Sequence, residues 1–308
     1  MVRQKLFKEV RFLFIHKAQI FNSIRRQSKV LNVLIFGSLL LTLLIGNNSF
    51  ALDFVTARTA SLGETGRGSA LTNDTILLNP SLIGFQPAQA VAGSYQWKKD
   101  KNFYLSAVDG KNQWFQAGLS FTRRSDMDFI HLGLAKRITN WMSVGTLVKR
   151  YATRSNSLAK DGRAISGFDG GPSFSFILPK SALPVQTQLG LAVDGFMHSK
   201  SDEPNVEPRN IGLGAKVNLS EILLIYADYV QYLPQISGAY NSYHAGLELA
   251  LAGTELFGRG GLMGFRDTGW TVGAGWVGPR IALNYAYQNK QVHQERQINH
   301  IASIEIFM

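Results

Sequence analysis

The chain has 308 residues, 45% hydrophobic and 17% charged, with 30 glycines, 19 phenylalanines and no cysteine. The absence of cysteine excludes a disulfide framework, a thiolate metal site, a cysteine nucleophile and an acylated lipoprotein cysteine. The net charge of +11 suggests a nucleic-acid partner until it is located: residues 1–51 carry eight basic residues against Glu9 alone, which leaves +4 spread over 52–308 without a Lys/Arg stripe to follow a phosphate backbone.

In chain order, the first element is an export signal. A basic stretch precedes the apolar run Val33 to Ile45, followed by Ser49-Phe50-Ala51, whose small first and third residues fit cleavage after Ala51. The run is shorter than the roughly 20 residues that a membrane-spanning helix needs. Its long basic lead also admits an uncleaved inner-membrane anchor.

Residues 52–87 crowd turn-formers together. Gly63, Gly66, Gly68, Asn73-Asp74 and Asn79-Pro80 supply backbone freedom and turn initiation before any strand begins. Placed there, the segment suits a plug folded into a barrel lumen. Its glycine order, GxxGxG, is not the dinucleotide fingerprint, and no βαβ unit follows. Within it, Ile76, Leu78, Leu82 and Phe85 are apolar enough to contact a hydrophobic ligand.

From residue 88 to 308 the pattern has period two. Ile281, Leu283, Tyr285 and Tyr287 alternate with Ala282, Asn284, Ala286 and Gln288; similar runs surround Val185–Asp194 and Tyr243–Leu251. One face is bulky and apolar, the other small and polar, as in a transmembrane barrel with lipid outside and a narrow lumen inside. Fourteen such runs are expected, at 88–97, 102–109, 114–122, 129–137, 142–153, 166–178, 185–194, 209–217, 222–232, 240–251, 256–265, 269–276, 281–288 and 298–307. Even-numbered connections are short and the odd ones include the longest, 155–164, 198–208 and 289–297, which puts both barrel ends on the periplasmic side. Trp97, Trp114, Trp141, Trp270 and Trp276 fall near strand ends and fit aromatic girdles. The fold expected is all-β: a fourteen-strand antiparallel transmembrane barrel (88–308) with an N-terminal luminal hatch (52–87), behind a signal peptide (1–51), in the bacterial outer membrane.

Charges on strands should point inward, because a lipid-facing charge near the midplane costs a few kcal/mol. Asp228 and Glu248 lie on small-residue faces and are expected to pair with luminal Arg137 or Lys216, as a structural network or a selectivity element. The sequence holds no GxSxG, HExxH or P-loop and no His cluster; neither an enzyme, a metal nor a cofactor is expected.

The stretch from Arg58 to Gly63, with Gly66, Gly68, Asn73-Asp74 and Asn79 to Leu82, resembles the hatch of FadL/PorV-type outer-membrane proteins. Gly264-Phe265-Arg266, Gly273-Ala274-Gly275, Asn284 to Tyr287 and His300 to Phe307 are similar to that family's C-terminal landmarks, whereas Glu64-Thr65, Ser81 and Asn284 depart from it. The resemblance implies a fourteen-strand barrel with a hatch. It also implies one of two roles: passage of hydrophobic molecules such as fatty acids, or binding of secretion-system proteins without transport. The first role predicts an apolar pocket beside residues 76–85 and a gap or kink in a nearby wall; the second predicts a closed wall. Partners are outer-membrane lipid and, by role, hydrophobic small molecules or secretion proteins; nucleic acid is not among them.

Overall fold

A computed structural model describes residues 56–69, 73–97, 101–124, 127–153, 166–179, 185–197, 209–219, 222–233, 240–264, 268–292 and 295–308. The signal segment with its Ala51 site, the loop at 199–208, Phe265-Arg266 and the histidines at 198 and 293 lie outside these residues.

Fourteen strands form one closed antiparallel barrel: β1 (Gln89–Trp97), β2 (Asn102–Asp109), β3 (Gln116–Arg123), β4 (Met127–Arg137), β5 (Met142–Thr153), β6 (Ser166–Leu178), β7 (Gln186–Asp194), β8 (Asn210–Asn218), β9 (Leu223–Tyr232), β10 (Tyr240–Ala250), β11 (Leu256–Gly264), β12 (Thr268–Val277), β13 (Ile281–Val292) and β14 (Glu295–Phe307). Each pairs with its sequence neighbour, and β1 closes on β14 from Ala90↔Phe307 to Trp97↔His300. Closure leaves no unpaired edge, which a strand exposed to hydrocarbon could not tolerate.

The alternation read from the sequence is the alternation of the wall. Leu105, Leu119, Ile130, Leu132, Leu213, Leu247, Leu262, Leu283 and Ile304 are exposed on the outside, while Ser94, Ser106, Ser120, His131, Lys149, His244 and Gln288 are buried inside. A protein in water would not leave so continuous an apolar surface uncovered; around a barrel it is the belt that meets acyl chains. In the described residues no helix is long and apolar enough to cross a membrane. The crossing is made by strands.

Two strand boundaries differ from expectation for identifiable reasons. β3 begins at Gln116 instead of Trp114, because the Asn112 side chain accepts the Trp114 amide at 2.9 Å and holds 112–115 as a turn. The expected loop 289–297 is mostly strand: β13 and β14 stay paired to Val292↔Glu295, with Arg296 Nε donating to Asn289 Oδ1 at 3.0 Å. Its polar composition reflects a hairpin that continues past the apolar belt. Trp97 and Trp270 sit at the end of the barrel opposite the short turns, and Trp114, Trp141 and Trp276 at the short-turn end.

Candidate functional site

Residues 56–69 and 73–86 lie inside the barrel and hold three short pieces: helix α1 (Ala57–Ser61), helix α2 (Thr75–Leu78) and a 3-10 turn (Pro80–Phe85) that opens on its proline. None is long enough to be stable alone. What holds them is the wall, in two chemically distinct halves.

The first half, β8 to β14, grips the segment by polar groups. Helix α1 rests Ala57 and Ala60 in a cluster with Leu78, Tyr104, Ala286 and Ile301. The chain then turns through Gly63 (φ +72°) and Glu64 (φ +64°). The left-handed conformation suits glycine at the first of these but is strained for glutamate at the second. Contacts from four strands hold that turn. Gly63 N–H donates to Thr271 Oγ1 at 3.1 Å, and His244 Nδ1 donates to the Gly63 carbonyl at 2.7 Å. Glu64 Oε1 accepts from Gln288 at 2.7 Å and from Lys290 at 3.2 Å. Asp228 Oδ2 accepts from the backbone amides of Gly66 and Arg67, each at 3.0 Å, and from Arg67 Nη1 at 3.4 Å. Glu248 accepts from Arg58 Nη2 at 2.8 Å and Nε at 3.2 Å, and from Arg259 Nε at 2.6 Å; Arg259 Nη1 continues to Asn284 at 2.9 Å.

The second half, β2 to β6, receives the segment on small residues. Ile76 and Ile83 cluster with Val108 and Ala135. A methyl on Gly118 would lie 2.6 Å from Ile76 Cγ1 and 3.2 Å from Ile83 Cδ1; on Gly133 it would lie 3.1 Å from Ile83 Cδ1. Gly118 and Gly133 are cross-strand partners. Ser81 N–H donates to Ser173 Oγ at 3.0 Å, and Asn79 Nδ2 donates to the Arg67 carbonyl at 2.8 Å, tying the 3-10 turn to the 66–68 turn. Asn73 Nδ2 donates to Ser106 Oγ at 3.0 Å, and Asp74 accepts from Thr56 Oγ1 at 2.7 Å and Thr56 N at 3.0 Å.

Two titratable groups of the plug are perturbed in opposite directions. Burial pushes the Asp74 carboxyl up, against the pull of its threonine donors. Burial acts on Glu64 in the same sense, yet Lys290, His244 and the Gln288 amide together hold it below the usual carboxylate range.

On the outer face of the same wall, over β1 to β4, lies an apolar depression of about 380 Å³ lined by Ala107, Ala117, Gly118, Leu119, Leu132 and Met308, among others. At Gly118 only the thickness of the backbone separates it from Ile76 and Ile83.

The residues singled out from sequence are distributed as follows. Gly63, Gly66, Gly68, Asn73, Asp74, Asn79 and Pro80 all lie in the plug, and all are buried there or make the turn contacts described above. Ile76 faces the wall at Gly118; Leu82 is buried; Leu78 packs under α1 instead; Phe85 is only half-buried, with the Arg137 guanidinium 5.7 Å from its ring centroid. The expected pairing of Asp228 and Glu248 with Arg137 or Lys216 is replaced. Asp228 is met by Arg67 and Glu248 by Arg58, both carried in by the plug, and Glu248 also by Arg259 of the neighbouring strand β11. Arg137 has inward parity but sits at the exposed mouth, donating to the Thr139 carbonyl at 3.3 Å and to Asn140 at 3.0 Å. Lys216 is buried on the lumen side without an ion pair to a described residue. Sequence reasoning missed Arg58, Glu64, Arg67, His244 and Arg259. Two arginines in a segment destined for a lumen with two inward carboxylates were the available signal. Among the described residues no three His, Asp or Glu side chains converge as metal ligands.

No protein-family model and no curated protein sequence matches the chain. Solved structures do. The CymD monoaromatic hydrocarbon channel superposes with a TM-score of 0.62 at 12% identity, covering 84% of this chain and 99% of that one. The Pseudomonas putida toluene transporter TodX gives 0.62 at 14% identity, over 83% and 99%. A Pseudomonas aeruginosa FadL homologue gives 0.55 at 10%, over 84% and 99%. At these identities the likeness is one of fold: a fourteen-strand barrel of the type found in FadL-like channels.

Proposed function

We propose that the protein is a passive outer-membrane conduit for hydrophobic small molecules, with residues 52–87 as its hatch and 88–308 as its barrel, after removal of residues 1–51. The observation that carries this reading is the pairing of two apolar surfaces across one backbone. The hatch presents Ile76 and Ile83 to Gly118 and Gly133, and the apolar depression lies on the other side of the same strands. A hydrophobic molecule descending the lumen gains from each apolar contact, at about 25 cal/mol per Å² buried, and nothing in that seat demands a charge. The solved structures of the same fold include two named for toluene transport and one named for monoaromatic hydrocarbons, which supports a hydrophobic cargo. The chemistry proposed is binding and passage without bond making.

One observation favours the second reading, a protein-binding or secretion-associated barrel without transport. All fourteen strand pairs are joined, and the wall is closed. No strand pair is missing beside residues 76–85, but β6 is irregular there: Gly170 has φ +153°, the in/out alternation breaks at Asp169–Gly171, and the register with β7 runs only from Ser173↔Ala192 to Leu178↔Thr187, next to the Ser173 that holds Ser81. Uptake separates the two. A strain lacking the gene, complemented with wild type or Gly118→Leu, is assayed with radiolabelled toluene and oleate. The conduit predicts slowed entry without the gene and poor rescue by Gly118→Leu. Equal uptake with and without the gene removes the conduit reading and leaves the protein-binding one.

A further inference from the structure

The belt of outward side chains is not uniform. At the end opposite the short turns, one sector spanning β1, β14, β13 and β12 is a continuous aromatic surface. Trp97 stands opposite His300, and His300 opposite Tyr287, in register across three strands. Tyr287 meets His300 edge-on with centroids 5.4 Å apart and Trp270 at 5.4 Å; the Tyr285 hydroxyl and His300 Nδ1 are 2.6 Å apart. Beyond this row, past the exposed Ile298 on the same face of β14, Arg296 is exposed and donates to Asn289. Just within it, Tyr285 stands between alanines, with Ala302 on one side and Ala274 on the other.

Tryptophan and tyrosine at an interface are ordinary. An imidazole hydrogen-bonded to a phenol on the lipid-facing wall is not, since polar groups on that face cost free energy unless something polar meets them. The opposite end offers a contrast. There Trp114, Phe115, Trp141 and Phe176 lie on the turn before β3 and at the ends of β5 and β6, with the Lys136 ammonium 5.7 Å from the Phe115 ring centroid, and no imidazole–phenol pair joins them among the described residues.

The sector has three zones in order along the membrane normal. Small residues flank Tyr285 where acyl chains lie. Aromatic faces with N–H and O–H edges follow, of the kind that stack on sugar rings and bond their hydroxyls. A guanidinium lies outermost, where a phosphate would take a charge-assisted bond. We infer that this sector is a seat for a single phosphorylated, acylated sugar lipid of the outer leaflet, with its phosphate on Arg296 and its sugar against Trp97, His300, Tyr287 and Trp270. A glycerophospholipid offers the phosphate but no ring for the aromatic row. The inference rests on the outer-membrane placement proposed above but not on transport.

The test is native mass spectrometry of the processed full-length barrel in mild detergent, titrated with a bisphosphorylated lipid A or with phosphatidylglycerol. Variants are Arg296→Gln, His300→Leu and, at the other end, Trp276→Leu; heat-modifiable gel migration checks that each is folded. The expected result is one retained lipid A copy on wild type and Trp276→Leu. Retention should fall at least tenfold in Arg296→Gln and in His300→Leu, and an equal concentration of phosphatidylglycerol should not displace the lipid. Equal retention by all variants, displacement by phosphatidylglycerol, or a dimer of barrels in place of the lipid adduct would each overturn the inference. Wild type that supports uptake but retains no lipid A would sink this seat and leave the conduit standing; wild type that retains lipid A without supporting uptake would spare the seat.

Discussion

The glycines of the inward face are small because the hatch backbone lies against them, and Gly214 offers the sharpest test. A methyl added there would stand 2.5 Å from the Gly68 nitrogen, 2.6 Å from Arg67 Cβ and 2.7 Å from the Arg67 carbonyl carbon, where ordinary contact begins at 3.4 Å. All three neighbours belong to the hatch turn, and two are backbone, so no side chain can swing aside. The turn must retreat by about 0.9 Å to reach the 3.4 Å limit from 2.5 Å. The same retreat stretches the two 3.0 Å bonds from the Gly66 and Arg67 amides to Asp228, on the strand next to Gly214, beyond hydrogen-bond range. Overpacking costs about 1–3 kcal/mol, and a bond to a buried charge contributes about 1.5–3 kcal/mol. Taking about 3 kcal/mol as the sum that survives relaxation, the hatch turn of Gly214→Ala should open about 100-fold more often. Hydrogen exchange of peptides covering 61–68, in the detergent-purified barrel, reads this directly. Gly258→Ala is the control, because a methyl there meets nothing within 4 Å. Exchange in Gly214→Ala within threefold of wild type would refute the claim that the wall's small residues exist to seat the hatch.

Removing Glu248 as Glu248→Gln leaves Arg58 and Arg259 facing each other without their shared carboxylate, and breaking a buried pair costs about 3–5 kcal/mol. Faster exchange around Ala57–Ser61 with an intact barrel is expected; loss of the whole barrel fold would instead make the network part of the wall. Glu64 supplies a pH signature. Its carboxyl is held low, so its contribution to hatch docking is complete above the ordinary glutamate value of 4.5 and is lost only as pH falls through the lower folded value. Hatch exchange protection, corrected for intrinsic rate, should therefore be flat from pH 7 to about 5. In Lys290→Met the largest opposing charge is gone, burial dominates, and protection should improve on acidification over that range; a flat profile in both proteins would exclude the Glu64–Lys290 contact as a clasp. Ile83→Asp, which sets a charge against the wall at Gly133, is expected to abolish rescue of hydrophobic uptake while barrel assembly, judged by heat-modifiable migration, persists.

What the sequence disclosed and what it withheld divide along the range of the forces involved. Strand order and count were legible because each strand obeys a local rule, the period of two, and each pairs with its neighbour; β2, β5 and β6 fall at the expected residues. The hatch turns were legible for the same reason, since Gly63 and Asn79-Pro80 announce backbone conformations within a few residues. Pairings between the hatch and the wall span 162 residues from Gly66 to Asp228, 190 from Arg58 to Glu248 and 226 from Glu64 to Lys290. No local period encodes those distances, so the carboxylates looked as though they should find wall cations. The rule that would have corrected this is one of neutrality in a closed space. A lumen filled by a plug leaves little room for water, so inward carboxylates must be met by charges or donors on the wall or on the plug. Arg58 and Arg67 are the only basic residues between Leu52 and Gln96, and each lands on one of the two carboxylates singled out from sequence. Lys216 is inward and buried without an ion pair to a described residue, and so is Glu305 on β14, so the buried charges left over are of both signs.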